Sequence, residues 1–317
     1  MRVEWLGGSS GAIESGAVGS DFKDISRSGW AEDLFPGVFD TSRVYSGKNS
    51  LLFDSAAMGN DGRFGMHYDT GSNFPELYTS YVTYFDNMGV SNGQWKMIRY
   101  NYTNSVMDTN TPNILLSNWS GAPGDMYTIF NGTATGSEGD RSIFMSNTLP
   151  PANGWYRFEA YIRPSSQAGA SDGELWVRTT RISDGAQVGY GRYANVRTYS
   201  SGESKRYRYV TFQNYQGNGF GSTGTKVWMD DLYISQTQAR VEICNAATWT
   251  ACTKKDIQPP SAWADNRITV KVNKGGLGSL SGAYLYVVDG TGAVNSAGYP
   301  LVAGAKIPAA PTDATAR

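Results

Sequence analysis

Gly219-Phe220-Gly221-Ser222-Thr223-Gly224-Thr225-Lys226-Val227-Trp228-Met229-Asp230-Asp231-Leu232-Tyr233-Ile234-Ser235 runs from a Gly/Ser/Thr loop straight into an alternating strand, and the composition changes after it. With a period of two, Val227, Met229, Asp231 and Tyr233 point to one side and Trp228, Asp230, Leu232 and Ile234 to the other. One acid therefore falls on each face, and a buried carboxylate persists only when paired, hydrogen-bonded or metal-bound. Because neighbours on a strand face opposite ways, Asp230 and Asp231 are not expected to act together. The stretch reads as the closing strand of a large β-domain, followed by a second, small one.

Upstream, strands recur every 10–20 residues or so, as in a two-sheet sandwich. The clearest are Leu77 to Phe85, Trp95 to Tyr102, Asn113 to Trp119, Met126 to Phe130, Trp155 to Arg163, Glu174 to Ile182, Tyr190 to Val196 and Tyr207 to Phe212. Turn clusters such as Ser171-Asp172-Gly173 and Ser183-Asp184-Gly185 separate them, and no helical period of useful length occurs. Residues 1–41 show no regular period; a turn at Gly47 then leads into Asn49-Ser50-Leu51-Leu52-Phe53. Beyond Ala239 the pattern restarts with Arg240 to Ile243, Arg267 to Val272 and Ala283 to Gly290, and Lys306 to Arg317 is an Ala/Pro-rich tail.

Tyr45-Ser46-Gly47-Lys48-Asn49-Ser50-Leu51-Leu52-Phe53, taken with the strand from Trp228 to Ser235, resembles the opening and closing strands of concanavalin A-like lectin/glucanase jelly rolls, a group that includes polysaccharide lyases. The segment 239–303 resembles immunoglobulin-type IPT/TIG modules. The expected architecture is all-β: an antiparallel jelly-roll sandwich over 1–238, a small immunoglobulin-like β-sandwich over 239–303 and a tail over 304–317. The resemblance also implies a structural calcium tying the first strand to the last. Asp21 or Asp24, the turn ending at Asn49, and Asp230 are its candidate ligands, since Ca²⁺ takes hard oxygen donors. The competing reading has Asp230 capping backbone amides.

Composition narrows the partners. With 38 Gly, 20 Tyr and 9 Trp among 317 residues the chain suits short strands and Gly-rich turns. Its 27 basic and 28 acidic residues nearly cancel, so no global field draws nucleic acid, and no apolar run is long enough for membrane insertion. The N-terminus carries no signal-peptide pattern. The expectation is a soluble chain whose leader was removed, or one released by lysis as virion proteins are. Cys244 and Cys252 match neither a redox nor a zinc spacing; free thiols and a local disulfide, the latter suiting an extracellular or virion setting, both remain open.

Three chemistries can be weighed against the residues. A retaining glycosidase of this fold class carries Glu-x-Asp-x-x-Glu on one strand, and that spacing is absent. A lyase must neutralise a uronate, remove its C5 proton and protonate the leaving oxygen. His67, the sole histidine, with Arg99 and Tyr100, would serve, but the Arg-Ser/Thr-Glu-Leu/Val-Arg and Gln-Ile/Val-His motifs of alginate lyases are missing. A lone histidine is more often a satisfied loop residue. A non-catalytic sugar binder needs only aromatic platforms and polar fixers: Trp95, Arg99, Trp119, Trp155, Arg157 and Trp176 are the candidates, against the alternative that strand aromatics form core. Two classes follow. The favoured one is a non-enzymatic surface or virion attachment protein that meets a glycan and other virion or surface proteins, with monomer and homo-oligomer both open. The other is a secreted polysaccharide lyase.

Overall fold

The computed structural model describes residues 3–7, 12–18, 30–32, 37–54, 56, 66–86, 94–102, 114–118, 126–130, 141–146, 153–199, 201–217 and 225–301. Two antiparallel sheets pack face to face. The first has the order β13 (Gln187–Val196), β12 (Gly173–Arg181), β11 (Gly154–Arg163), β6 (Leu77–Phe85), β15 (Lys226–Ser235), β4 (Ser50–Asp54), β3 (Val38–Asp40), with β1 (Val3–Trp5) also pairing β15. The second runs β10 (Arg141–Ser146), β9 (Met126–Phe130), β8 (Ile114–Asn118), β7 (Gln94–Asn101), β14 (Tyr209–Gly217), β5 (Met66–Asp69), β2 (Trp30–Glu32). The fold is thus the expected all-β jelly-roll sandwich, and sequence-distant strands pair because sheet alternation, not chain proximity, sets the register. Between the sheets, Leu77, Tyr81 and Phe85 of β6 meet Tyr156, Phe158, Ala160 and Ile162 of β11, with Ile98, Tyr100, Val210 and Phe212 from the second sheet.

A third layer explains an oddity in the pattern. All nine residues of β6 are buried, although alternation would leave one face wet. Arg43, Trp155 and Trp228 cover Tyr84 on that face, and the second module covers its Tyr78 end. Its main sheet is β17 (Lys255–Gln258), β16 (Arg240–Cys244), β20 (Tyr284–Val288), β21 (Tyr299–Pro300), and β18 (Pro260–Ala264) with β19 (Arg267–Val270) forms a separate hairpin. These are six strands among the described residues, where an immunoglobulin sandwich has about seven or more. Ile257 packs into a cluster with Trp5, Tyr78, Tyr161 and Tyr233 from the outer face of the first sheet. The Cys244–Cys252 pair is a disulfide with its Cα atoms 5.8 Å apart, beneath Tyr286 and Trp249.

The closing strand departs from simple alternation. Asp230 pairs with Val82 and Tyr233 with Ser80, so Asp231 and Leu232 together oppose Tyr81 in a β-bulge, and Asp231 takes a φ of 48°. The extra residue flips the faces: Val227 and Met229 point into the core before it, Leu232 and Ile234 after it. The expectation that Leu232 and Ile234 share a face with Trp228 is therefore corrected. So is the separation of the two acids. The Asp230 carboxylate accepts the amides of Tyr45 and Ser46, each at 3.0 Å, and that of Asp231, while Asp231 accepts the Ser46 hydroxyl. Both acids thus grip the turn at Ser46. Gly7 lies against the bulge so closely that a Cβ there would come within 2.3 Å of the Asp231 Cα.

Candidate functional site

Three strands of the first sheet set side chains in rows on its outer face. Opposed residues give Tyr161–Trp176–Arg192 and Arg163–Glu174, and the next row carries Arg178 opposite Tyr190. Beyond β6 the second module covers this face, but over β12 and β13 it stands off, leaving a cleft of ≈ 490 Å³. Its far wall is Trp249, the Gly290–Gly292 turn and Val294.

The floor is aromatic and held in place. Trp176 stacks on Tyr161 with ring centroids 5.9 Å apart and planes 26° from parallel, and tilts against Tyr78. Its indole N–H donates to Gln238 Oε1 at 3.1 Å, and the Tyr161 hydroxyl donates to Glu76 at 2.6 Å. Tyr190, 46% exposed, is one of few large hydrophobic side chains left open among the described residues. At the rim one carboxylate serves two guanidinium groups: Glu174 lies 2.7 Å from Arg192 and 3.7 Å from Arg163. Each arginine carries five N–H donors, so most of them remain for a ligand. Rings that can stack, surrounded by pre-oriented donors and acceptors, are what a sugar-binding surface requires.

Deeper in, the layers are joined by charge. Arg157 donates to Glu242 at 2.9 Å and to Ser80, Arg178 forks onto Glu159, and Arg240 donates to Glu242 at 2.6 Å. Burial would raise the Glu242 carboxyl, but Arg157 and Arg240 outweigh it and bring it down to about 2; Glu159 is likewise held well below its ordinary value against burial by Arg178 and Arg157. Arg157 is thus an interlayer tie, correcting its reading as a sugar contact.

The remaining candidates divide as follows. Trp176 lines the cleft. Trp155 sits six residues from Tyr161 along β11, about 20 Å at the strand rise, in a separate cluster with Tyr45 and Tyr84 at 5.7 and 5.5 Å. Trp95 lies in β7, opposite Gln216 and Asn118. Trp119, Asp21 and Asp24 lie outside the described residues. Asn49 donates its amide to the carbonyls of Ile13 and Gly16, both at 3.0 Å, and Asp230 takes the amide-capping role; among the described residues no three His, Cys, Asp or Glu side chains gather as a cation site. Burial raises the Asp230 carboxyl well above the ordinary range, and the neighbouring Asp231 charge raises it further.

The lyase candidates stand on the second sheet. His67 belongs to β5, not to a loop, and shares a row with Thr211 and Arg99. Its Nδ1 lies 3.1 Å from Thr211 Oγ1, which also accepts from Asn101, and its ring stacks on Tyr209 at 5.0 Å. Asn101, Thr211 and Tyr209 were legible only as alternate strand positions around Arg99 and Val210. His67 and Arg99 are 1% and 3% exposed. Tyr100 points the other way, into the core against Phe74, and burial pushes its hydroxyl well above the ordinary tyrosine value. It cannot act with the other two.

No family model matches the chain, and no curated protein matches it either. Among solved structures it is similar to an alginate lyase from Aplysia kurodai (TM-score 0.48, 12% identity, 63% of this chain and 86% of that one) and to an endo-β-1,4-glucuronan lyase from the fungus Trichoderma reesei (0.47, 12%, 74% and 95%). The alginate lyase vAL-1 from Chlorella virus is similar at 0.46 and 10%, over 65% and 93%. At such identities the likeness is one of fold, and it transfers neither a substrate nor a residue's role.

Proposed function

We propose that the chain is a non-catalytic glycan-binding protein displayed on a virion or in the extracellular space, and that it engages sugar in the cleft above Trp176. The observation that carries this reading is the partly exposed Trp176 ring, braced by the buried Tyr161 and ringed by Arg163, Arg192 and Glu174. The Cys244–Cys252 disulfide supports an oxidising setting. Assembly with other surface or virion proteins, or with further copies, belongs to the same proposal. A structural calcium would rest on Asp21 and Asp24, and a melting temperature that rises with calcium would support it.

Affinity electrophoresis against a panel of neutral and acidic polysaccharides tests the function. Trp176→Ala should weaken binding to the retained glycan by about tenfold or more, the equivalent of ~1.4 kcal/mol. The competing lyase reading is favoured by one observation, the His67–Thr211–Arg99 row. Unsaturated product formed by the wild type and lost in His67→Ala would replace the binding proposal with it.

A further inference from the structure

Beside the cleft lies a second, smaller cavity of ≈ 100 Å³ between the layers, lined by Arg157, Arg178 and Lys255 with Glu159 and Glu242. Thr180, Gln187 and Thr253 complete the wall with hydroxyl and amide groups. At about 30 Å³ per water, the space suits one small anion with one or two waters.

The charges around it do not balance. Among the described residues Arg157, Arg178 and Arg240 form ion pairs only with Glu159 and Glu242, and Lys255 forms none. Three lining cations thus face two lining carboxylates, with Arg240 behind them on the same pair and the Asp256 carboxylate on the far side of Arg157. The Lys255 ammonium instead rests 4.1 Å from the centre of the Trp249 ring, a partial compensation. Arg157 and Arg240 are almost wholly buried, so water screens their charge poorly, while Arg178 and Lys255 are partly exposed at the cavity mouth. Burial draws the Lys255 ammonium below the ordinary lysine value despite the attraction of Glu242. A buried charge without a counterion is costly.

We infer that this cavity binds a small anion between Lys255 and Arg178, and that the ion fastens the second module to the sandwich. The shared chemistry is a single compact negative charge, supplied either by a free halide-sized ion or by the carboxylate of an acidic sugar reaching in past Arg178, which borders both cavities. This site stands whether or not the larger cleft binds glycan.

The test is thermal melting of the full chain at constant ionic strength, with sodium bromide replacing sodium 2-(N-morpholino)ethanesulfonate, whose anion is bulky and carries no carboxylate. A saturable rise in melting temperature with bromide is expected, and the half-saturating concentration should increase at least tenfold in Lys255→Met. Anomalous scattering from a bromide-soaked crystal should place the ion beside Lys255 and Arg178. Glucuronate that competes with bromide would identify the sugar carboxylate as occupant; bromide saturation without competition would identify the free ion. A melting temperature indifferent to which anion is present, or an equal bromide response in Lys255→Met, would overturn the site. Because Lys255 is only partly buried and makes no ion pair among the described residues, its replacement should leave the fold intact, and an unchanged circular dichroism spectrum checks that.

Discussion

Arg157 concentrates the chemistry of the interlayer contact in one side chain. Its guanidinium reaches the buried Glu242, Glu159 and Ser80 and the part-buried Lys255 carbonyl. Removing it leaves two carboxylates short of a partner, and breaking a buried pair costs about 3–5 kcal/mol. Arg157→Met should therefore lower the urea midpoint far more than a surface Arg→Met such as Arg267→Met. The same cluster sets an acid response. A carboxyl depressed from its ordinary 4.5 to about 2, as at Glu242, adds stability that is full above 4.5 and is lost as pH falls towards 2. Asp230 has the opposite sign: its raised value favours the protonated form, so its contribution is present at low pH and is lost as pH rises through that value. Urea titrations should find Glu242→Gln most destabilised near pH 6, with the gap to wild type narrowing as pH approaches 3. An equal gap at both values would mean that Glu242 is not held by Arg157 and Arg240.

At the scale of elements, β15 defines the molecule, and its bulge accounts for what sequence reading could and could not reach. The strand's existence, its closing position and its apolar content follow from the alternation of Val227 to Ile234. Its faces do not, because one extra residue inverts every assignment beyond it and period-two patterning carries no mark of where that residue sits. The available hint is the Asp-Asp doublet, since aspartate tolerates a positive φ better than most residues. The long strands β6, β7, β11, β12, β13 and β14 are legible for the same reason as β15. The short β1, β2, β3 and β5 are not, since three or four residues hold no period, and His67 was read as a loop residue on that account. The bulge yields a sharp expectation. Deleting Asp231 restores plain alternation with Val227, Met229, Leu232 and Ile234 all still inward, so the chain should fold while losing the Ser46 and Asn273 contacts, at a cost of roughly 1–3 kcal/mol for buried partners left unpaired. Deleting Met229 instead drives Asp230 into a core position and should abolish folding. Circular dichroism and melting of the two variants separate these outcomes.

For the whole molecule, the cleft is composite, which is why the sequence points only to Trp176 among its residues. Tyr161, Arg163 and Glu174 are ordinary strand residues until the second module raises a wall opposite them. That wall is also structural. The face it covers displays Trp5, Tyr78, Tyr161 and Tyr233 with the interlayer charges, more apolar surface than a free sandwich leaves wet. The turn at Tyr45 adds a further tie, its hydroxyl donating to Asp256 at 2.7 Å, while Asn273 donates to Asp231 at 3.1 Å. Sandwich and module should accordingly unfold as one unit, with a single calorimetric transition whose van't Hoff and calorimetric enthalpies agree. A chain ending at Gln238 should expose the tyrosine face together with Arg157 and Glu159, bind apolar dye and aggregate on mild heating. Two resolved transitions in the full chain, or a soluble truncated sandwich that melts as cooperatively as the whole, would make the module an appendage, and the cleft beneath it would then be free to open and close instead of standing preformed for its ligand.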